Sequence, residues 1–428
     1  MAVALLALSL GAAPLAAQAP RLRLSGDGRS YVVFGGQLRE RVEGWRGFDF
    51  GVPDSSPHDD GFALTRLRLS ADLHLGGNLR LFAEGKSAIS TTRRLVGGKR
   101  LSDVDDPDLQ QGYLELGSRP TQRGGGATAA RIGRQELALG RERLVGALDW
   151  SNVRRSFDGI SVTRGRGRRT LTAFAVRPVL QQEHRFNRWD EHTEFFGAYS
   201  IMESAARDRR AEVYWLRLNR TAGAEQRQTV GVRLSGGGAR RLGDYDVETA
   251  YQFGELGGAR IKAWMLSAVL GRRLSASAAA PRLWLGFDYA SGDKSPGGSA
   301  GTFDQLFASG HPFFGQADLV GRRNIVDASG GVSWAVRAPL VITVDVHRFW
   351  RAGAHDALYN AAASVVRAGD AGASRDVGRE IDVLIRYPAS RHFTLAGGCS
   401  RFLPGAFIEE SGPSKTVEFA YFSVQYTM

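Results

Sequence analysis

Residues 65–75 read T-R-L-R-L-S-A-D-L-H-L, a strict alternation of polar and apolar side chains. Leu67, Leu69, Ala71, Leu73 and Leu75 fall on one side, with Arg66, Arg68, Ser70, Asp72 and His74 on the other. A period of two is the signature of a β-strand, whose successive side chains point to opposite faces. The pattern recurs along the chain. Val32, Phe34, Leu38 and Val42 oppose Gln37, Arg39, Arg41 and Glu43. Ile342, Val344, Val346 and Trp350 oppose Thr343, Asp345 and His347, and Ile381, Val383, Ile385 and Tyr387 oppose Glu380, Asp382 and Arg386. It continues to the last residue, where Ala420, Phe422, Val424, Tyr426 and Met428 share a face. Roughly eighteen such segments can be counted, an even number as closed bacterial barrels require. Oily faces opposite charged faces suit lipid on one side and water on the other. The expected fold class is all-β, a transmembrane antiparallel up-and-down barrel over residues 20–428, in the bacterial outer membrane.

Residues 1–19 form an apolar run ending in small side chains, read as an export signal peptide. Beyond it no run of about 18 apolar residues occurs, and the mean hydropathy of −0.23 is too polar for a bundle of membrane helices. Gly 54 against Pro 14 suits many strands joined by tight turns. The single Cys399 excludes an internal disulfide. The net charge of +12 is carried almost wholly by arginine, whose planar fork binds carboxylates bidentately. These arginines are interleaved with Asp and Glu rather than clustered with aromatic platforms, which argues against nucleic-acid binding.

Short turns are expected at residues 76–77, 165–168, 236–238, 257–258 and 388–390, and longer loops near 48–61, 89–109, 179–192, 292–323 and 351–375. Short turns would face the periplasm and long loops the exterior or the lumen. Periodicity alone does not orient segments 131–138 and 211–219, where charge or aromatics fall on both faces.

Three stretches are more specific: R-I-G-R-Q-E-L-A-L-G-R-E-R-L-V-G-A-L-D-W-S-N-V-R-R-S-F-D-G at 131–159, T-F-D-Q-L-F-A-S-G-H-P-F-F-G-Q-A-D-L-V-G-R-R-N at 302–324, and the series D-A-L-Y-N (356–360), G-R-E-I-D (378–382) and F-L-P-G (402–405). In that order they resemble the alginate-export family of outer-membrane porins. The resemblance implies an eighteen-stranded monomer with an arginine-lined, electropositive constriction that passes a uronic-acid polymer. Carried over by motif, Arg134, Gln135, Arg143, Asn152, Arg155 and Asp158 are expected to line the pore or anchor loops, with Asn324, Glu380, Asp382 and Arg401 in the same polar interior. The alternating strands add Arg39, Arg41, Arg66, Arg68 and Arg386 to the pore face. Asp72, Asp158, Asp345 and Asp382 would hold the arginine forks in place and keep polymer binding weak enough for conduction.

Other chemistry is poorly supported. Asp103, Asp105, Asp106 and Asp108 could offer oxygens to Ca²⁺, but Pro107 interrupts them and no EF-hand glycine is present. His347 lacks a third ligand at useful spacing, and His311 in G-H-P reads as a turn. No G-x-S-x-G elbow and no nucleotide signature occurs, so neither an enzyme nor a cofactor is expected. The expected function is a passive channel for anionic polysaccharide or anionic solutes. A general small-solute uptake porin is the alternative, and a barrel enzyme or adhesin the least favoured. Expected partners are outer-membrane lipid, the barrel-assembly machinery and, for polymer export, periplasmic and inner-membrane machinery.

Overall fold

The computed structural model describes residues 21–428 except 51–55, 119–125, 207, 238–242, 278, 296 and 338. The export signal therefore lies outside the described residues, as does part of the turn expected at 236–238. Twenty strands share one sheet. Setting aside the short Arg21–Arg23 and Arg188–Trp189, eighteen of them form the wall, each antiparallel to the next. The first, Tyr31–Arg46, pairs with both Asp60–Leu75 and the last, Val417–Thr427, which closes the cylinder. Closure leaves no unpaired strand edge, the condition for backbone to cross hydrocarbon.

The alternation seen in sequence sets the two faces. Phe34, Leu38, Val42, Leu67 and Leu69 are exposed on the outside, while Arg39, Arg41, Glu43 and Arg66 are buried within. Segment 211–219 also resolves: Val213 and Trp215 face outward, and Tyr214, Leu216 and Leu218 are buried. Residues 257–258 turn out to lie at the opposite end of the barrel from the other short turns. They join Gly243–Leu256 to Ala259–Arg273 on the same rim as the long loops. Gly257 and Gly258 have φ of 57° and 82°, the paired left-handed conformation of a two-residue hairpin, so this rim also carries a tight turn.

The core lies inside the cylinder, not between layers. Loops 136–156 and 291–324 fold inward and bring Leu137, Leu144, Val145, Phe303, Phe307 and Phe314 against wall residues such as Phe157 and Phe195. Loop 405–416, which carries the helix Ala406–Ser411, caps the adjoining wall with Phe407 and Ile408.

Candidate constriction

The two inward loops are joined edge to edge. Val145 and Phe307 form a parallel bridge. Gly146 N–H donates to the Phe307 carbonyl and Phe307 N–H to that of Leu144, both at 2.9 Å. Loop 136–156 also spans the lumen. At one end Arg143 Nη1 donates to Asp246 at 2.7 Å and Glu248 at 2.9 Å, both on Gly243–Leu256. At the other end the backbone of 149–151 is held by the first two strands. Arg39 donates to the carbonyls of Asp149, Trp150 and Ser151 at 2.8 to 3.1 Å. Arg41 donates to Trp150 O at 2.5 Å, and Arg66 to the carbonyls of Asp149 and Ser151 at 2.9 and 3.1 Å. The Asn152 amide donates to the carbonyls of Thr65, Ile89 and Asp103. In an eighteen-strand wall, the first and eleventh strands lie on opposite sides, so the loop is a strap across the bore.

Trp150 sits at the junction. The Arg41 guanidinium lies 3.8 Å from its ring on one side, and His311 of the other loop stacks on it at 3.8 Å and 5°. Such a sandwich fixes three side chains relative to one another. Beside it is a charged cluster. Arg68 pairs with Glu84 at 2.7 Å and with Glu136 at 3.5 Å. Arg154 pairs with Glu136 at 2.6 Å and also with Asp149, which Arg66 reaches at 3.1 Å. Four arginines, Arg39, Arg66, Arg68 and Arg154, thus surround three carboxylates, Glu84, Glu136 and Asp149.

Crowding works against charge on the two loop carboxylates, but neighbouring guanidinium groups outweigh it. Asp149, beside Arg66 first and then Arg154, is held well below its ordinary value, and Glu136 is lowered by Arg154. Glu136, which ties the loop to Arg68 of the wall, stabilises the docked loop above its ordinary pKa and loses that contribution as pH falls through the lowered one. Single-channel recordings stepped from about pH 7 to about pH 3 are therefore expected to stay steady until pH drops below the ordinary carboxylate range, then become noisy.

Most of the residues picked out in the sequence prove to hold loops. Besides Arg39, Arg41, Arg66, Arg143 and Asn152, Arg155 donates to the carbonyls of Gly146, Phe307 and Ala308, and burial pushes its pKa down to about 10. Glu380 accepts the Ala317 N–H at 2.9 Å, and Asp382 that of Gln316 at 3.5 Å. The Asn324 amide ties loop 291–324 to the carbonyls of Gly353 and Ala357. Gln135 is buried and bonded to Gly159 O and Ser161. Arg386 shares the inward register of Asp382 near the short-turn end.

Three placements depart from a pore lining. Arg134 and Asp158 are register partners on the face shared by the paired Ile132 and Ile160, which are 51% and 47% exposed. That is the outer face, where Arg134, itself only 6% exposed, grips Asp158 at 2.9 Å and anchors the loop after Arg169–Leu180 through the Asn187 carbonyl at 2.9 Å, the loop-anchoring half of what its motif implied. Arg401 likewise shares its side with the exposed Ile381 and Cys399 and lies 3.9 Å from Glu418. All three sit near the loop-side ends of their strands, where charge on the outer face costs only about 0–1 kcal/mol. In the acidic 103–108 segment, Asp103 is engaged by Arg100, Asp105 by Lys86 and Asp108 by Arg134. Among the described residues no group of three or more potential ligands is arranged to hold a metal.

The sequence reading missed Glu136, Asp149, Trp150 and Arg154 as a constriction set. Asp149 and Trp150 open the D-W-S-N motif, and Glu136 follows G-R-Q directly.

A family model described as alginate export matches residues 30–422. Among solved structures, Pseudomonas aeruginosa OccK2 (OpdF) in complex with glucuronate superposes with a TM-score of 0.65 at 12% identity, covering 93% of this chain and 98% of that one. P. aeruginosa OpdK with vanillate gives 0.62 at 12% identity over 92% and 98%, and OccK11 (OpdR) gives 0.58 at 15% over 93% and 96%. At these identities the likeness is one of fold. No curated protein matches the sequence.

Proposed function

Because this chain belongs to the alginate export family and is an outer-membrane channel, we propose that it passes carboxylate-bearing solutes, either uronic-acid chains or small organic anions, by passive diffusion. The observation that carries this reading is the constriction itself. The strap across the bore brings Arg154 beside Arg66, Arg68 and Arg39, leaving guanidinium groups one in excess over the surrounding carboxylates. Guanidinium forks in a low-dielectric wall concentrate anions locally, and the interleaved Glu84, Glu136 and Asp149 keep binding weak enough for release. OccK2 was solved with glucuronate and OpdK with vanillate, both of them carboxylates. That favours, as a second reading, uptake of single small acids over passage of polymer.

Purified protein in a planar bilayer under a KCl gradient is expected to show a reversal potential of anion-preferring sign that shrinks as ionic strength rises and screens the arginines. A cation preference would overturn the proposal. Comparing block of the chloride current by glucuronate with block by its oligomers then separates the two readings, since only a polymer channel should bind the longer chains more tightly.

A further inference from the structure

Asp149 is held in two independent ways. Its backbone carbonyl is fixed by Arg39 and Arg66, and the next two carbonyls by Arg39, Arg41 and Arg66. The preceding Leu148 has φ of 56°, a left-handed conformation unusual for leucine and maintained by the surrounding contacts. None of this needs the Asp149 side chain.

That side chain is 58% accessible inside the barrel, whereas Arg66 beside it is 2% accessible. Its Oδ1 accepts from Arg66 Nη2 at 3.1 Å and from Arg154 Nη1, so donors from the wall and from the loop converge on one oxygen. Both guanidinium groups are also anchored elsewhere. Arg66 Nη2 donates to Gln37 Oε1 at 2.7 Å, and Arg154 binds Glu136 through Nε at 2.8 Å and Nη2 at 2.6 Å. If the Asp149 carboxylate swung away, the two donors would stay where they are and present a preformed cradle for a carboxylate oxygen.

We infer that the Asp149 carboxylate is a tethered stand-in for the solute carboxylate, occupying the Arg66–Arg154 site when the channel is empty and displaced by each anion that passes. The inference rests on the carboxylate-passage reading above and adds its binding site and release device. A tethered competitor sets an upper limit on affinity, because every arriving anion must displace a carboxylate already in place. It also returns after each passage and keeps the two arginines from trapping a solute.

The test is block of the chloride current by glucuronate, with glucose as the uncharged control, in bilayers holding the full chain or its Asp149→Asn, Asp149→Ser or Asp149→Glu variant. Asp149→Asn is expected to lower the half-blocking glucuronate concentration about tenfold, since removing a charge-assisted competitor is worth roughly one such interaction. Asp149→Ser should do the same should the amide disturb the loop. Asp149→Glu should stay near wild type, and glucose should block none of them. Half-blocking concentrations unchanged or raised in both neutral variants, with anion preference and wild-type block intact, overturn the stand-in role and leave the proposed function standing. A wild-type channel that glucuronate does not block overturns both.

Discussion

Arg143→Ala is expected to release the strap from the far wall, lowering stability by about 3–5 kcal/mol and turning a steady, constricted channel into a noisier one of higher conductance. Arg143 is fully enclosed, and its Nη1 alone bridges Asp246 and Glu248. Truncation leaves Glu248 with the Tyr214 hydroxyl, at 2.9 Å, and Asp246 with Arg233 and, at 4.0 Å, Arg141. The cost comes mainly from that uncompensated buried charge and less from the attraction lost, because a buried ion pair roughly balances its own desolvation. The distinction can be measured. A triple variant, Arg143→Met with Asp246→Asn and Glu248→Gln, removes the orphaned charges along with the cation, and should recover most of the thermal midpoint lost in Arg143→Ala. If single and triple variants melt together, and below wild type, the loss came from packing around Arg143, for instance against Phe313, whose ring lies 5.3 Å away. The midpoint is read from the gel-mobility shift of the heat-unfolded barrel, and strap release from single-channel conductance.

The wall could be read from the sequence because lipid and water impose opposite demands on alternate residues. A one-residue slip would turn Arg39, Arg41 and Arg66 into hydrocarbon, so the register is strongly specified. What these three do was not legible. They face inward as expected, but their partners are carbonyls 83 to 112 residues away, in a segment that has no periodicity to betray it. An arginine poised for a solute carboxylate and one fastened to a loop carbonyl look identical in a string of letters. The motif residues Arg134, Asp158 and Arg401 show a different failure. Family motifs identify residues without assigning a face, and near the loop-side rim the outer face tolerates charge. In 131–138, with charge on both sides, periodicity could not correct the motif. The constriction set Glu136, Asp149, Trp150 and Arg154 becomes visible only once the strap is folded, because its geometry depends on two loops meeting inside a closed wall.

The outer face makes a sharper demand than any lumen contact, and Val344→Arg tests it. Val344 lies on Leu340–Arg351, between Val332 and Val383 on the neighbouring strands. Toward the loop end of the same face, Val346 shares a row with Ile381 and Arg401, and Arg348 pairs with Asp376 at 2.6 Å. Toward the turn end, Ile342 pairs with Trp334, and the exposed Tyr387 follows on the strand of Val383. Charge marks the loop-side rim of this face and aromatic side chains the membrane interface at the turn end, so Val344 lies about midway through the hydrocarbon. An arginine there is expected to cost about 2–4 kcal/mol when the chain is folded into lipid vesicles, seen as a drop in the denaturant midpoint. Arg401→Leu, on the same outer face at the rim, should change stability by no more than about 1 kcal/mol. The contrast between the positions carries the meaning. An exposed valine on a water-facing sheet would accept arginine within about 0.5 kcal/mol, and depth would not matter. Only a wall immersed in lipid makes one guanidinium costly at mid-height and nearly free at the rim.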